Sequence, residues 1–249
     1  MKRILLAVAL TAVAAGAFAT PVHISAPVAA AVAAPDRAAE RPTDARRHPA
    51  EVLSFSGVKP RDTVAELIPG SGYFTRLFSK IVGPRGHVYA VWVEEYAKLA
   101  HPDPENSLTL SRTPSYGNIT VLTQPARAFA TPRPVDLVFT AQNYHDYPDK
   151  FMGKVDPMVF DRAVFKALKP GGVFLIVDHA AAAGSGMRDT DTLHRIDPAI
   201  VKAQVIAAGF RYVGAMDVLK NPADDHSKAV FDPAVRGQTD QFVMKFAKP

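Results

Sequence analysis

The chain has 249 residues, 48% of them hydrophobic and 21% charged, enough apolar material for one well-buried domain. It contains no cysteine, which excludes disulfides, a cysteine nucleophile, a thiolate metal cluster and lipid attachment at a cysteine. The net charge of +5 draws on Lys2, Arg3, Arg37, Arg41, Arg46 and Arg47, and the other basic residues are scattered singly rather than gathered into a basic stripe, so no nucleic-acid partner is expected.

Met1-Lys2-Arg3 is followed by an uncharged apolar run from Ile4 to Phe18 and the small-x-small site Ala17-Phe18-Ala19. This pattern predicts a signal peptide over residues 1–19. The run is shorter than the about 20 residues that a membrane span needs, so the expected product is exported, periplasmic or secreted, without stable membrane insertion. Residues 20–44 are rich in Ala, Pro and Val and lack Phe, Trp and Tyr, a composition that predicts a disordered tether. The folded domain is expected over residues 45–249.

From there strands and helices alternate. Thr63 to Ile68 reads as a first strand that ends at Pro69-Gly70-Ser71-Gly72, and Tyr73 to Val82 carries apolar residues at helical spacing. His87 to Val93, Ile119 to Leu122 and Val135 to Thr140 are the next strands, short and apolar as buried parallel strands are. A helix opens at Pro157 and stops at Lys169-Pro170-Gly171-Gly172, ahead of a strand from Val173 to Val177. Asp197 is the expected N-cap of a helix closed by Gly209, followed by strands over Arg211 to Leu219 and Gln241 to Ala247. Between those two, Asn221 to Asp240 is polar and reads as a loop or lid. The alternation predicts an α/β, Rossmann-like, doubly wound and mostly parallel sheet of about seven strands.

Thr63 to Thr75 (TVAELIPGSGYFT), the short second strand, Pro134-Val135-Asp136 and Leu168-Lys169-Pro170-Gly171-Gly172, taken in this order, resemble the successive motifs of the class I S-adenosylmethionine-dependent methyltransferases. The resemblance covers nearly all of the chain after residue 45. It implies a sheet that ends in a C-terminal antiparallel hairpin, S-adenosylmethionine as cofactor, and methyl transfer to a small-molecule or envelope acceptor. It also assigns cofactor contacts to Glu66, Gly70, Ser71, Gly72, Tyr73 and Asn143. Ile68 stands where the family has its first glycine. Trp92 aligns with the family's ribose-binding acid, with Glu94 and Glu95 following; Glu94 could reach the ribose from a longer turn, and Trp92 could stack on adenine or lie in the core.

Ligands of doubly wound sheets bind beyond the carboxyl ends of the strands. Two such ends carry chemistry here: Asn143, Tyr144, His145 and Asp146 after the fourth strand, Asp178 and His179 after the fifth. His145 is the candidate base, with Asp146, Asp178 and His179 beside it. Asn143, Asp146 and Asp178 are the alternative, a hard-oxygen metal set, although no metal is expected. His194 and Arg195 are expected in solvent, with a place facing this cleft as the alternative, and His226 is expected in solvent, with a lid role as the alternative. No Gly-x-Ser-x-Gly, Walker loop or Gly-x-Gly-x-x-Gly is present, which disfavours a hydrolase, a nucleotide triphosphatase and a nicotinamide enzyme. The second functional reading is a binding protein that kept the fold without catalysis, supported by Ile68 and Trp92.

Overall fold

The structure is a computed structural model that describes residues 22–249. The predicted signal peptide lies outside the described residues. Helices α1 (Ala26–Val32), α2 (Arg41–Arg47) and α3 (Pro49–Ser56) come first. They are followed by β1 (Thr63–Leu67), α4 (Tyr73–Val82), β2 (His87–Val93), α5 (Glu94–Ala97), α6 (Asp103–Ser111) and β3 (Ile119–Gln124). The second half contains β4 (Val135–Ala141), α7 (Pro157–Ala167), β5 (Leu168–His179), α8 (Thr190–Leu193), α9 (Pro198–Ala207), β6 (Arg211–Met216) and β7 (Gln241–Ala247).

The strands form one seven-stranded sheet in the order β3-β2-β1-β4-β5-β7-β6. The first five are parallel, and β7 runs antiparallel between β5 and β6, as expected. All five residues of β1 are buried because helices cover both faces of the sheet. Successive side chains alternate between two cores: Ala65 and Leu67 pack with Phe160, Phe174 and Phe210, whereas Val64 packs with Leu53, Leu77 and Phe78. In the second core the Phe139 ring meets Phe74 and Phe78 with centroids 4.8 and 5.1 Å apart, edge to face. Asp156 and Asp197 cap α7 and α9, each accepting from the backbone N–H two residues on, with proline in the first turn of each helix.

Residues 20–44 are expected as a disordered tether, and the described part of them, from residue 22, is largely folded. Val28 and Ala31 of α1 are buried in the core beside α4. Arg37 is fully buried, donates to Val32 O at 2.8 Å, and pairs with Asp44 at 2.8 Å; Asp44 in turn accepts from Tyr73 OH at 2.5 Å. Small side chains let α1 lie close to α4, so little apolar area per residue suffices, and the ion pair supplies an anchor that composition does not reveal. The domain therefore begins near residue 25. Helix α3, which follows this segment, meets the last strand, where Lys245 Nζ on β7 donates to Phe55 O at 2.9 Å. Lys169 to Gly172, expected as a turn, is part of β5, with a register shift against Val135 and Leu137. No described helix is long and apolar enough to cross a membrane.

Candidate functional site

A cavity of about 650 Å³ opens at the carboxyl ends of β1, β4 and β5. Its wall after β1 is the turn Ile68 to Ser71, in which Ile68 and Gly70 take left-handed φ values of 49° and 54°. A β-branched residue in that region costs about 1–2 kcal/mol. Ile68 is held there by its N–H donating to Val91 O at 2.8 Å and by burial of its side chain. The departure from glycine at Ile68 thus changes the wall of the cavity and leaves the backbone in a glycine-like path. A Cβ added at Gly70 would meet nothing within 4 Å, because that face opens on the cavity. Gly72 (φ 80°) lies off the cavity and starts α4.

Beneath the turn, Glu66 is buried and accepts from Thr75 Oγ1 at 2.5 Å; burial pushes its carboxyl up to about 8. Arg47 enters from α2, with its guanidinium 5.1 Å above the Tyr73 ring and 5.5 Å from the Phe74 ring. Its Nη2 reaches Gln142 Oε1 at 3.4 Å, and its buried Nε has no partner among the described residues.

Opposite lies a buried polar network. Asp178, fully buried, accepts from His145 N, from His145 Nδ1 and from His179 N, each at 2.8 Å. The other ring nitrogen of His145 stands 3.2 Å from Asp146 Oδ1, and His194 Nδ1 stands 3.8 Å from that same oxygen. Burial opposes a charge on His145, but Asp178 and Asp146 outweigh it and raise its pKa well above the ordinary imidazole value. His179, without a carboxylate on its ring, is pushed down to about 4 by burial and lies 2.8 Å from Thr239 Oγ1 through Nδ1. The Oδ1 of Asn143 is buried with no partner among the described residues.

No family model matches the chain. Over 128 residues it is 29% identical to a protein-L-isoaspartate O-methyltransferase of Ignicoccus hospitalis, a match that covers 51% of the chain and 52% of that relative. The match thus spans about half of the curated relative's length. Among solved structures, a SAM-dependent methyltransferase from Aquifex aeolicus aligns with a TM-score of 0.59 and 20% identity, over 84% of this chain and 94% of that one. The glycopeptide N-methyltransferase MtfA, complexed with S-adenosylmethionine, aligns with a TM-score of 0.53 and 15% identity, over 80% and 86% of the two chains. The fold is that of the class I methyltransferases.

Within this methyltransferase fold, Glu66, Gly70, Ser71, Tyr73, Asn143, His145, Asp146 and His179 all line one cavity, and Asp178 supports it from below. Trp92 and Glu94 do not line it. Trp92 is fully buried in the core and donates through Nε1 to Ser107 Oγ at 3.1 Å, because α6 folds over the end of β2. Glu94 is exposed at the start of α5, and Glu95 turns away to accept from Ala126 N at 3.0 Å. The carboxylate that the chain after β2 does bring to the cavity is Asp103, which the sequence reading missed. Arg47 was missed as well, since it is one of several basic residues around the start of the expected domain and carries no distinguishing local signal.

Three further expectations change. His145, expected as a base, has its two ring nitrogens against Asp178 and Asp146, which favour its protonated form until a cation displaces the proton from Nε2; His179 is the neutral imidazole of the site. His194 follows its alternative reading and borders the cavity, with its ring 4.8 Å from that of Phe231. Arg195, expected in solvent, is fully buried and paired with Asp224 at 2.8 Å.

Burial also pushes Asp161, whose carboxylate accepts from Tyr144 OH at 2.9 Å, up to about 8. For Glu66 and Asp161 the folded pKa lies above the ordinary value, so the folded chain holds protons that the unfolded chain releases. Their contribution to stability is complete below the ordinary carboxyl range and is lost as pH rises toward about 8. Each group contributes a loss of roughly 1.4 kcal/mol per pH unit across that window. Urea midpoints are expected to fall between pH 6.5 and 8, and to fall less steeply in Glu66→Gln. An unchanged slope in that variant would show that Glu66 does not carry the proton.

Proposed function

We propose that the chain is an S-adenosylmethionine-dependent methyltransferase acting on a small molecule or an envelope component. The observation that carries this reading is the left-handed turn Ile68 to Gly70, which opens on a cavity large enough for the cofactor at the carboxyl end of β1. The residues fit the group. Gly70 leaves room for a close approach, the unpaired Asn143 Oδ1 offers an acceptor, and Arg47, with its free Nε, suits the carboxylate of an amino-acid moiety. Asp103 is the acceptor available for ribose hydroxyls in place of an acid at the end of β2. S-adenosylmethionine would supply an electrophilic methyl group carried on a sulfonium.

His179 is placed to act on the acceptor. It is neutral at pH 7, and when its Nδ1–H donates to Thr239 Oγ1 its Nε2 keeps a lone pair that can accept a hydrogen bond from the acceptor and orient it, while burial makes it a weak base. We infer export from the basic and apolar start of the chain; Edman sequencing of the secreted form, beginning near residue 20, would bear that out, and an intact Met1 would refute it.

Calorimetric titration of the purified protein tests cofactor binding. S-adenosylmethionine and S-adenosylhomocysteine are expected to bind in the micromolar range, and Gly70→Val to weaken both at least about tenfold by filling the open face of the turn. Absence of heat and of thermal shift at millimolar ligand would sink the reading, and unchanged affinity in Gly70→Val would place the ligand elsewhere.

A further inference from the structure

We infer that His145, Asp146 and His194 form a site for a divalent first-row transition-metal ion, of the zinc or iron(II) class, in the wall of the cavity. One atom from each, His145 Nε2, an Asp146 carboxylate oxygen and a His194 ring nitrogen, lies within 4.8 Å of the others. Ligand atoms about 2.1 Å from a shared ion stand roughly 3–3.5 Å apart. The separation of 3.2 Å between His145 and Asp146 already matches; that of 3.8 Å between His194 and Asp146, and the wider one between the two imidazoles within the 4.8 Å span, need His194 to move inward by about 1 Å. His194 ends the short helix α8 and its side chain is 28% exposed, so it has freedom to make that shift.

Two imidazoles and one carboxylate are the donor set that suits zinc and iron(II) rather than magnesium or calcium. All three residues line the cavity, so the remaining coordination positions face the space where a substrate hydroxyl or carboxylate oxygen would sit. The second ring nitrogen of His145 is already engaged by Asp178, the kind of carboxylate partner that orients a metal-bound imidazole. Asp178 is itself fixed by the backbone N–H groups of His145 and His179. The surrounding charge is negative, since Asp149 is buried nearby with both carboxylate oxygens unpartnered among the described residues. The hard-oxygen set weighed from sequence as the alternative, Asn143 with Asp146 and Asp178, is not assembled, because Asp178 spends its oxygens on the two histidines.

This site does not depend on the methyltransferase reading, because the ion would bind the chain without cofactor. The test is titration of the chelator-stripped full chain with Co²⁺, followed by its visible absorption, and competition with Zn²⁺. One equivalent is expected to bind, displaceable by Zn²⁺, with affinity reduced more than about 100-fold in His194→Ala and in Asp146→Asn, since each removes a direct ligand. His226→Ala, outside the cluster, is expected to bind like the parent. Should His194→Ala melt early without metal, the isosteric Asp146→Asn gives the same reading. Absence of a one-equivalent signal, or equal affinity in Asp146→Asn and the parent, overturns the proposal.

Discussion

Arg195→Ala is expected to destabilise the protein by about 3–5 kcal/mol, because it leaves a buried carboxylate without its counter-charge. The Arg195 side chain has no exposed surface, and that of Asp224 is 1% exposed. The guanidinium donates to Asp224, to Ala180 O at 3.0 Å and to Lys228 O at 2.9 Å, so it ties the end of β5 to the segment from Asn221 to Asp240. Asp224 also accepts from Asp240 N at 2.7 Å and His226 N at 3.2 Å. Removing the arginine should therefore loosen this whole segment, including Val230 and Phe231 at the mouth of the cavity. At about 2–4 °C per kcal/mol for a chain of this size, the melting temperature should fall by roughly 6–20 °C. Hydrogen exchange should rise across residues 221–240. The double variant Arg195→Ala with Asp224→Asn should recover part of the loss, since the unpaired buried charge is gone and the amide oxygen can still accept from a backbone N–H. A single variant that melts within about 2 °C of the parent would show that the pair is solvated.

Asp178→Ala should cost a similar amount, about 3–5 kcal/mol, by a different route. Three donors, two backbone N–H groups and the Nδ1 of His145, lose their common acceptor at once. His145 also loses one of the two carboxylates that hold its charge, so its pKa should fall. Urea denaturation measures the first effect, and the ring-proton chemical shifts of His145 across pH measure the second. A stability change below about 1 kcal/mol, or an imidazole that titrates as before, would mean that Asp146 alone holds the ring.

The sheet was legible because its strands carry it locally. Val135 to Thr140 and Val173 to Val177 are apolar runs bounded by turns, and the caps at Asp197 and Pro198 are written in adjacent residues. The grouping of Asn143 to Asp146 with Asp178 and His179 was legible too, since both follow neighbouring strands that end on the same edge. What sequence withheld depends on contacts far apart along the chain. Arg37, Arg47 and Arg195 are alike on the page, and only the folded chain shows one buried against Asp44, one bordering the cavity and one paired with Asp224. The protonation states of His145 and His179 were equally out of reach, since the carboxylates on one ring and burial of the other decide them.

The position of β7 has a consequence for how the chain reaches this state. It is the last strand in chain order yet an interior one, and it bonds on one side to β5, on the other to β6, and through Lys245 to Phe55 near the start of the domain. Until β7 arrives during synthesis, β6 has no neighbour in the sheet and the β5 backbone from Val173 to His179 stays unpaired along one edge. A nascent chain of this topology displays an apolar strand edge from the completion of β5 at His179 until β7, Gln241–Ala247, is made, the kind of edge to which other chains add. Closure over contacts this distant in sequence is slow, so the interval before β7 docks is when aggregation competes most with folding.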